Sequence, residues 1–195
     1  MTTALRAEIR DRRRRQILDA AWSIARESGI ATVGLREVAR RADMRAPSLY
    51  EYFDSKHAIY DAMFGEGYDE FLRLAPARND PRPARRVAVA WLGRFFTFCR
   101  ADLARYQLLF QPAVPGFHPS DESMLKAQRA LAMLDEFLGR AGTTRPGAAE
   151  IWTALVTGMV NQQVANDPAG HRWERLAEEA VEMFFHHFAA EAGPQ

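Results

Sequence analysis

The residues best suited to chemistry in this chain lie between Arg36 and Lys56, and the chemistry they suit is recognition rather than bond-making. Arg45, Ser48 and Glu51 follow one another at intervals of three, so a helix places them on one side. A guanidinium can hold a guanine edge with two hydrogen bonds, a glutamate can accept from a cytosine amino group, and a serine hydroxyl can bond a base or a phosphate. Ala46 shares that side, because Leu49 and Phe53 must point inward. Arg36, earlier in the segment, is a further phosphate candidate. Catalytic patterns are missing by comparison. His186 and His187 are adjacent and diverge by roughly 100° on a helix, too far to share a metal easily. His57, His118 and His171 are isolated, and the chain has no nucleophile elbow, phosphate loop or HExxH string. The acidic pairs Asp69-Glu70, Asp121-Glu122, Asp135-Glu136 and Glu178-Glu179 read as solvated helix faces. The expectation is a binding protein, with no enzymatic activity, cofactor or metal.

Those side chains need elements to hold them. Leu35, Val38, Ala39 and Ala42 fall at helical spacing, Asp43-Met44-Arg45 breaks the pattern, and a second apolar set follows at Leu49, Tyr52 and Phe53. Two helices of seven or eight residues cannot stand alone in water. A third, Arg15 to Ser28, supplies a partner through the stripe Ile17, Leu18, Ala21, Ile24 and Ala25. Three small helices with a sharp turn between the second and third form a helix-turn-helix, whose second member is presented to the major groove of DNA.

From about Gln16 to Met63 the chain resembles the DNA-binding domain of the tetracycline-repressor (TetR) family. The most specific stretch is Pro47-Ser48-Leu49-Tyr50-Glu51-Tyr52-Phe53-Asp54-Ser55-Lys56, which is similar to that family's LY.(H/Y)F.SK signature. The resemblance implies that Tyr50 and Lys56 touch phosphates, Lys56 with help from the positive end of a fourth helix. It also implies that the last two helices pair with those of a second copy. Three positions depart from the pattern. Asp43 replaces the turn glycine, Gly34 replaces a Thr or Ser cap, and Arg45 replaces a Ser cap. The fold survives these changes, since Asp tolerates a left-handed backbone and Gly can cap. The specific contacts made at these positions are what the departures alter.

Charge is divided in keeping with this. Residues 1–57 hold 12 basic and 8 acidic groups and the remainder 14 and 17, within a net charge of +1. The Arg12 to Arg15 run has two readings, an arm following the DNA backbone or minor groove, or a frayed, solvated helix start. Cys99 is the only cysteine, which excludes an intrachain disulfide and suits a small buried hydrophobe. The chain has no run of 18 apolar residues and no apolar leader at its start, so the expectation is a cytoplasmic protein with no membrane partner.

The rest of the chain predicts six more helices. They run from a Ser55 cap to about Leu74, over Ala84–Ala101, from Asp102 to Phe110, over Asp121–Arg140 with a stop at Gly142, and over about Pro146–Asn166 and Gly170–Ala190. The fold class is all-α, with a three-helix DNA-binding domain at 1–56 and a six-helix ligand-binding and dimerisation domain at 57–195. With 48% hydrophobic residues there is ample material for a core. The last two helices are apolar over more than one face, which points to a homodimer joined through Met159, Trp173, Val181, Phe184 and Phe188. The middle helices are rich in aromatics, and Trp91, Phe95, Tyr106, Phe110, Phe137, Trp152 and Gln162 are the candidates to line a mostly apolar pocket. The sequence thus reads as a regulator that binds a palindromic duplex operator as a homodimer and is released by an unidentified small-molecule effector. Repression suits it best and activation stays open. The alternative is a helix-turn-helix protein regulated by protein contact, without a ligand.

Overall fold

The computed structural model describes residues 3–143 and 145–188. The regular structure of these residues is helical throughout. The α-helices are α1 (Thr3–Ser28), α2 (Leu35–Arg41), α3 (Ala46–Leu49), α4 (Lys56–Leu72), α5 (Ala84–Ala101), α6 (Leu103–Phe110), α7 (Asp121–Arg140), α8 (Ala148–Asn166) and α9 (Ala177–Phe188). Short 3-10 turns lie at Ile30–Thr32 and Glu174–Leu176.

Local signals set most boundaries. Ser55 Oγ accepts from the Ala58 amide at 3.0 Å and caps α4. Asp102 does the same for α6, accepting from the Arg105 amide at 3.0 Å. Each supplies an acceptor for one of the four free amides at a helix start. Gly142 adopts φ 79° directly after α7, and the Thr143 amide bonds back to the Leu138 carbonyl at 3.0 Å. That reversal needs a left-handed residue, which glycine provides without strain.

Two ends differ from expectation. The first helix begins at Thr3 and not at Arg15, so Arg12–Arg15 lie well inside α1 and are not a frayed helix start. The final α-helix begins at Ala177 and not at Gly170, because Gln163 holds the segment before it in a different path. Its amide group donates to the Gly170 carbonyl at 3.1 Å, and its carbonyl oxygen accepts from the Trp173 amide at 2.9 Å and the Glu174 amide at 3.3 Å. The expected last residues, 189 and 190, lie outside the described residues.

The chain forms two compact units, one made of the residues up to Asp69 with Asp102–Lys126, the other of Glu70–Ala101 with the described residues from Ala127 onward. In the first, Ile17, Ala21, Val38 and Leu49 are fully enclosed and make the centre of the three-helix head. The first part of α4 packs into the same unit. Tyr60 is fully buried and its hydroxyl donates to the Ile30 carbonyl at 2.6 Å, while the Trp22 indole donates to Glu66 at 3.1 Å. Compactness therefore divides the chain inside α4, a different partition from the one expected at 56/57. In the second unit, α5, α8 and α9 enclose Leu92, Phe96, Cys99, Val160 and Val181. Trp152 meets Phe184 edge to face at 5.0 Å between ring centres, and α9 lies along α5.

Candidate nucleic-acid interface

The turn between α2 and α3 is built on one unusual backbone position. Asp43 has φ 52°, the only positive value outside glycine among the described residues. Its neighbours close the turn, with the Asp43 amide bonding to the Arg40 carbonyl at 3.3 Å and the Met44 amide to the Ala39 carbonyl at 3.0 Å. Asp is among the few residues that adopt this conformation at modest cost. Gly34 and Arg45 stand at the starts of α2 and α3 in extended conformation, and neither caps through a side chain.

α3 itself is shorter than expected, four residues where seven or eight were predicted. Pro47 lacks a donor, and past Leu49 the helix tightens. The Leu49 carbonyl accepts from both the Tyr52 and Phe53 amides at 3.0 Å, and the Glu51 to Ser48 bond stretches to 3.4 Å. Sharing of this kind is usual where a helix ends in a 3-10 turn. Leu49 and Phe53 nonetheless point inward, at 0% and 3% exposure, and so fix which side faces out.

That outward side carries Arg45, Tyr50 and Glu51 exposed, with Ala46 and Ser48 half-buried. Arg36 is exposed on the first turn of α2. The side chains of Arg36, Arg45, Tyr50 and Glu51 have no hydrogen-bonding or ionic partner among the described residues, so their polar groups are available. Neighbouring arginines are already engaged. Arg40 binds Glu37 through two nitrogens at 2.6 and 2.8 Å, and Arg41 binds Glu27 at 2.6 Å. The hydrogen bonds from Arg41 and Arg40 hold the Glu27 and Glu37 carboxyls below the usual carboxylate range. Lys56, the first residue of α4, donates to the Ala31 carbonyl at 3.1 Å, leaving two of its three ammonium hydrogens free.

Arg14 is a positioning residue that the sequence did not single out. Its guanidinium donates to the Tyr52 carbonyl at 2.6 Å and lies 4.2 Å from the centre of the Phe53 ring. It thereby ties α1 to the end of the reading segment. Nothing in the Arg12–Arg15 run marks Arg14 apart; only its side of the helix does.

The family model for bacterial regulatory proteins of the tetR family matches residues 17–63, the span that contains α2, the turn, α3 and the start of α4. The HTH-type transcriptional repressor KstR of Rhodococcus jostii is 40% identical over 149 residues, 74% of this chain and 66% of that protein. The chain belongs to the TetR family. The HTH-type transcriptional activator FasR of Mycolicibacterium smegmatis is 33% identical over 106 residues, 52% of this chain and 47% of that one. The chain thus spans about half the length of one TetR relative and about two-thirds of another. Among solved structures, the transcriptional regulator FadR from Bacillus subtilis in complex with stearoyl-CoA has the same fold, with TM-score 0.66 at 20% identity over 87% of this chain and 96% of that one.

The other predicted site residues of this TetR-family chain fall out differently. Trp91 and Phe95 stack at 5.2 Å, and Trp91 lies 6.2 Å from Trp152, so these three share one aromatic layer in the second unit. Phe137 is half-buried on α7 in that unit, whereas Tyr106 and Phe110 belong to the first. Gln162 is exposed and accepts from Asn166 at 2.7 Å; the buried glutamine of α8 is Gln163, at 0% exposure. Of the predicted dimer residues, Met159, Val181, Phe184 and Phe188 are buried within their own chain, and Trp173 is half-buried. Two apolar faces on α8 and α9 do not leave both for a partner, because α5 covers one. The outward faces instead carry Ile151, Ala154 and Gly158 on α8, Leu176 at the end of the 3-10 turn before α9, and Met183 on α9.

Proposed function

We propose that this protein is a sequence-specific DNA-binding transcriptional regulator, a repressor that leaves its operator when a small, largely apolar ligand binds. The observation that carries the reading is the unpaired outward face of α3, with Arg45, Tyr50 and Glu51 free above a register locked by Leu49 and Phe53. Residues 1–56 read DNA, and residues 57–195 bind ligand and dimerise. Arg45, Ala46, Ser48 and Glu51 face bases; Arg36, Tyr50 and Lys56 face phosphates.

Two copies are joined through the outward faces of α8 and α9, giving a two-fold protein for a two-fold site. The ligand is of an acyl type, in keeping with the stearoyl-CoA held by the Bacillus regulator of like fold. A ligand that prefers the released state ~100-fold contributes about 2.7 kcal/mol per site towards release. Repression is favoured by the likeness to KstR, which extends over more of this chain than the likeness to the activator FasR.

A second reading, regulation without a ligand, has one observation in its favour. Phe95 and Trp152 are already buried against neighbouring rings and serve as core.

The test is selection of duplexes from a random library, followed by gel-shift titration with stearoyl-CoA, free stearate and coenzyme A. Recovery of a palindromic site, with release by the acylated compounds alone, is the expected result. Failure to enrich any duplex would remove the proposal, and a site insensitive to every acyl compound would leave the second reading.

A further inference from the structure

The first thirteen residues of α1 after Thr3 stand clear of the core. Of residues 4–16 only Arg14 is even half-buried. At ~1.5 Å per residue this is roughly 20 Å of exposed helix. It carries Arg6, Arg10, Arg12, Arg13 and Arg15 with Glu8 and Asp11. Their arrangement on the helix is uneven. Glu8 precedes Arg12 by four residues and Asp11 precedes Arg15 by four, spacings at which opposite charges offset each other. Arg6, Arg10 and Arg13 have no acid three or four residues away on either side. They fall within a ~60° arc at ~100° per residue, and Arg6 with Arg10, and Arg10 with Arg14, are like charges at a repulsive spacing.

This row, unbalanced within its own helix, lies on the side of α1 that, two turns later, buries Ile17, Ala21 and Ile24 in the head; Arg10 and Arg14 also line a wider depression with Glu51, Asp54 and Asp61. The row therefore faces the reading segment. Arg6, Ile9 and Arg10 line one shallow depression with Glu51 and Tyr52, of about 270 Å³. Arg14, next along the same face, is bonded to Tyr52 and holds the row in place beside α3. Arg6 and Arg10 have no hydrogen-bonding or ionic partner among the described residues, and Arg13 has only Gln16, at 3.0 Å. Glu51 is the one acid on that shallow depression, and a carboxylate there repels the DNA backbone, so the phosphates belong along the arginines and away from it.

From this geometry we infer that Arg6, Arg10 and Arg13 form a preformed helical rail that binds the phosphate backbone of duplex DNA beside the bases read by α3. The inference rests on the DNA-binding reading and deepens it. The rail is sequence-independent, since each arginine meets a phosphate as a charge and two or three N–H donors. Because it is already helical, no backbone ordering is required on binding.

The test compares the full chain with a variant carrying Arg6→Ala, Arg10→Ala and Arg13→Ala, and with a control carrying Arg12→Ala and Arg15→Ala on the balanced face. Alanine favours helix, so circular dichroism should show α1 intact in both. Affinity for a selected 40-base-pair duplex and for a random one of equal length is measured from 50 to 300 mM salt. Each neutralised phosphate adds about 0.9 to the slope of log affinity against log salt. The rail variant should lose roughly 2.7 units of slope per protomer on both duplexes while keeping the ratio of selected to random affinity, and the control should lose less than half of that. An unchanged slope in the rail variant, with wild-type binding intact, would overturn the rail and leave the DNA-binding reading standing. Equal losses in rail variant and control would overturn it as well, showing diffuse charge alone. No binding of either duplex by the wild type would remove both readings.

Discussion

At the scale of the residue, the clearest division is between side chains that hold the molecule and side chains left free to act. Gln163 holds. It is fully buried, and its two ends tie together the backbone from Asp167 to Glu174. Gln163→Leu is expected to cost ~2–3 kcal/mol, since it strands the Trp173 and Glu174 amides inside the protein. Chemical denaturation against the wild type measures this; a loss under about 0.5 kcal/mol would mean that water replaces the amide. The residue was legible in principle. It sits at the end of the buried stripe Trp152, Val156, Met159 and Val160, where a lone polar group calls for partners. Arg45 is free. Arg45→Ala should weaken binding to the selected operator by ~1–3 kcal/mol and hardly alter binding to random DNA, whereas Tyr50→Phe should weaken both alike. Equal weakening of both by Arg45→Ala, seen in parallel gel shifts, would move Arg45 to the phosphates.

At the scale of the element, the turn before α3 depends on Asp43 taking φ 52°. A β-branched residue resists that conformation, so Asp43→Val should destabilise the fold by ~1–2 kcal/mol, while Asp43→Gly should hold or raise the melting temperature. A thermal melt in which valine matches the wild type would show that the turn relaxes elsewhere. Helix caps were readable because they act over three or four residues: Ser55, Asp102 and Gly142 each do what their type predicts. The length of α1 was not. Residues 4–14 lack an apolar stripe, so no periodicity announced a helix there, although good helix formers and i, i+4 charge pairs sustain one. The shortness of α3 was hidden for the opposite reason, since its apolar spacing persists through Phe53 after the hydrogen bonding has changed.

At the scale of the whole molecule, the outward faces of α8 and α9 are the proposed seat of dimerisation. Ile151 is 50% and Met183 64% exposed, large apolar groups that the described residues leave half or more open to solvent. Ile151→Glu with Met183→Glu should therefore give folded monomers near 22.1 kDa by light scattering. Val181→Glu, by contrast, buries a charge in the core and should unfold the chain. A double variant that keeps the wild-type mass of a dimer would place the interface elsewhere. The interior also sets a response to alkali. Burial pushes the Tyr60 and Tyr68 hydroxyls up to about 12. Below pH 10 these phenols are neutral in both folded and unfolded chains. Between about 10 and 12 the unfolded chain loses those protons and the folded one does not, so stability falls as pH rises through that window. Absorbance at 295 nm should show at least two tyrosines that ionise only near pH 12 or on unfolding. Five ordinary tyrosine titrations near pH 10 would contradict their burial.

The sequence by itself determined the class of fold, nearly every helix, the reading segment and its family. All of these rest on information carried within a few turns of helix: periodicity, caps, and a string of ten residues from Pro47 to Lys56. What only the tertiary structure decided is which of two equivalent faces is covered. Val181 and Phe184 look the same in sequence whether they meet α5 or a second copy, and Gln162 and Gln163 differ by ~100° of helix rotation. Arg14 and Arg10 differ likewise by one turn, one bonded under the reading segment and the other free beside it. Burial is a property of what lies opposite, and a single chain position carries no record of its neighbour across the core until the helices are packed.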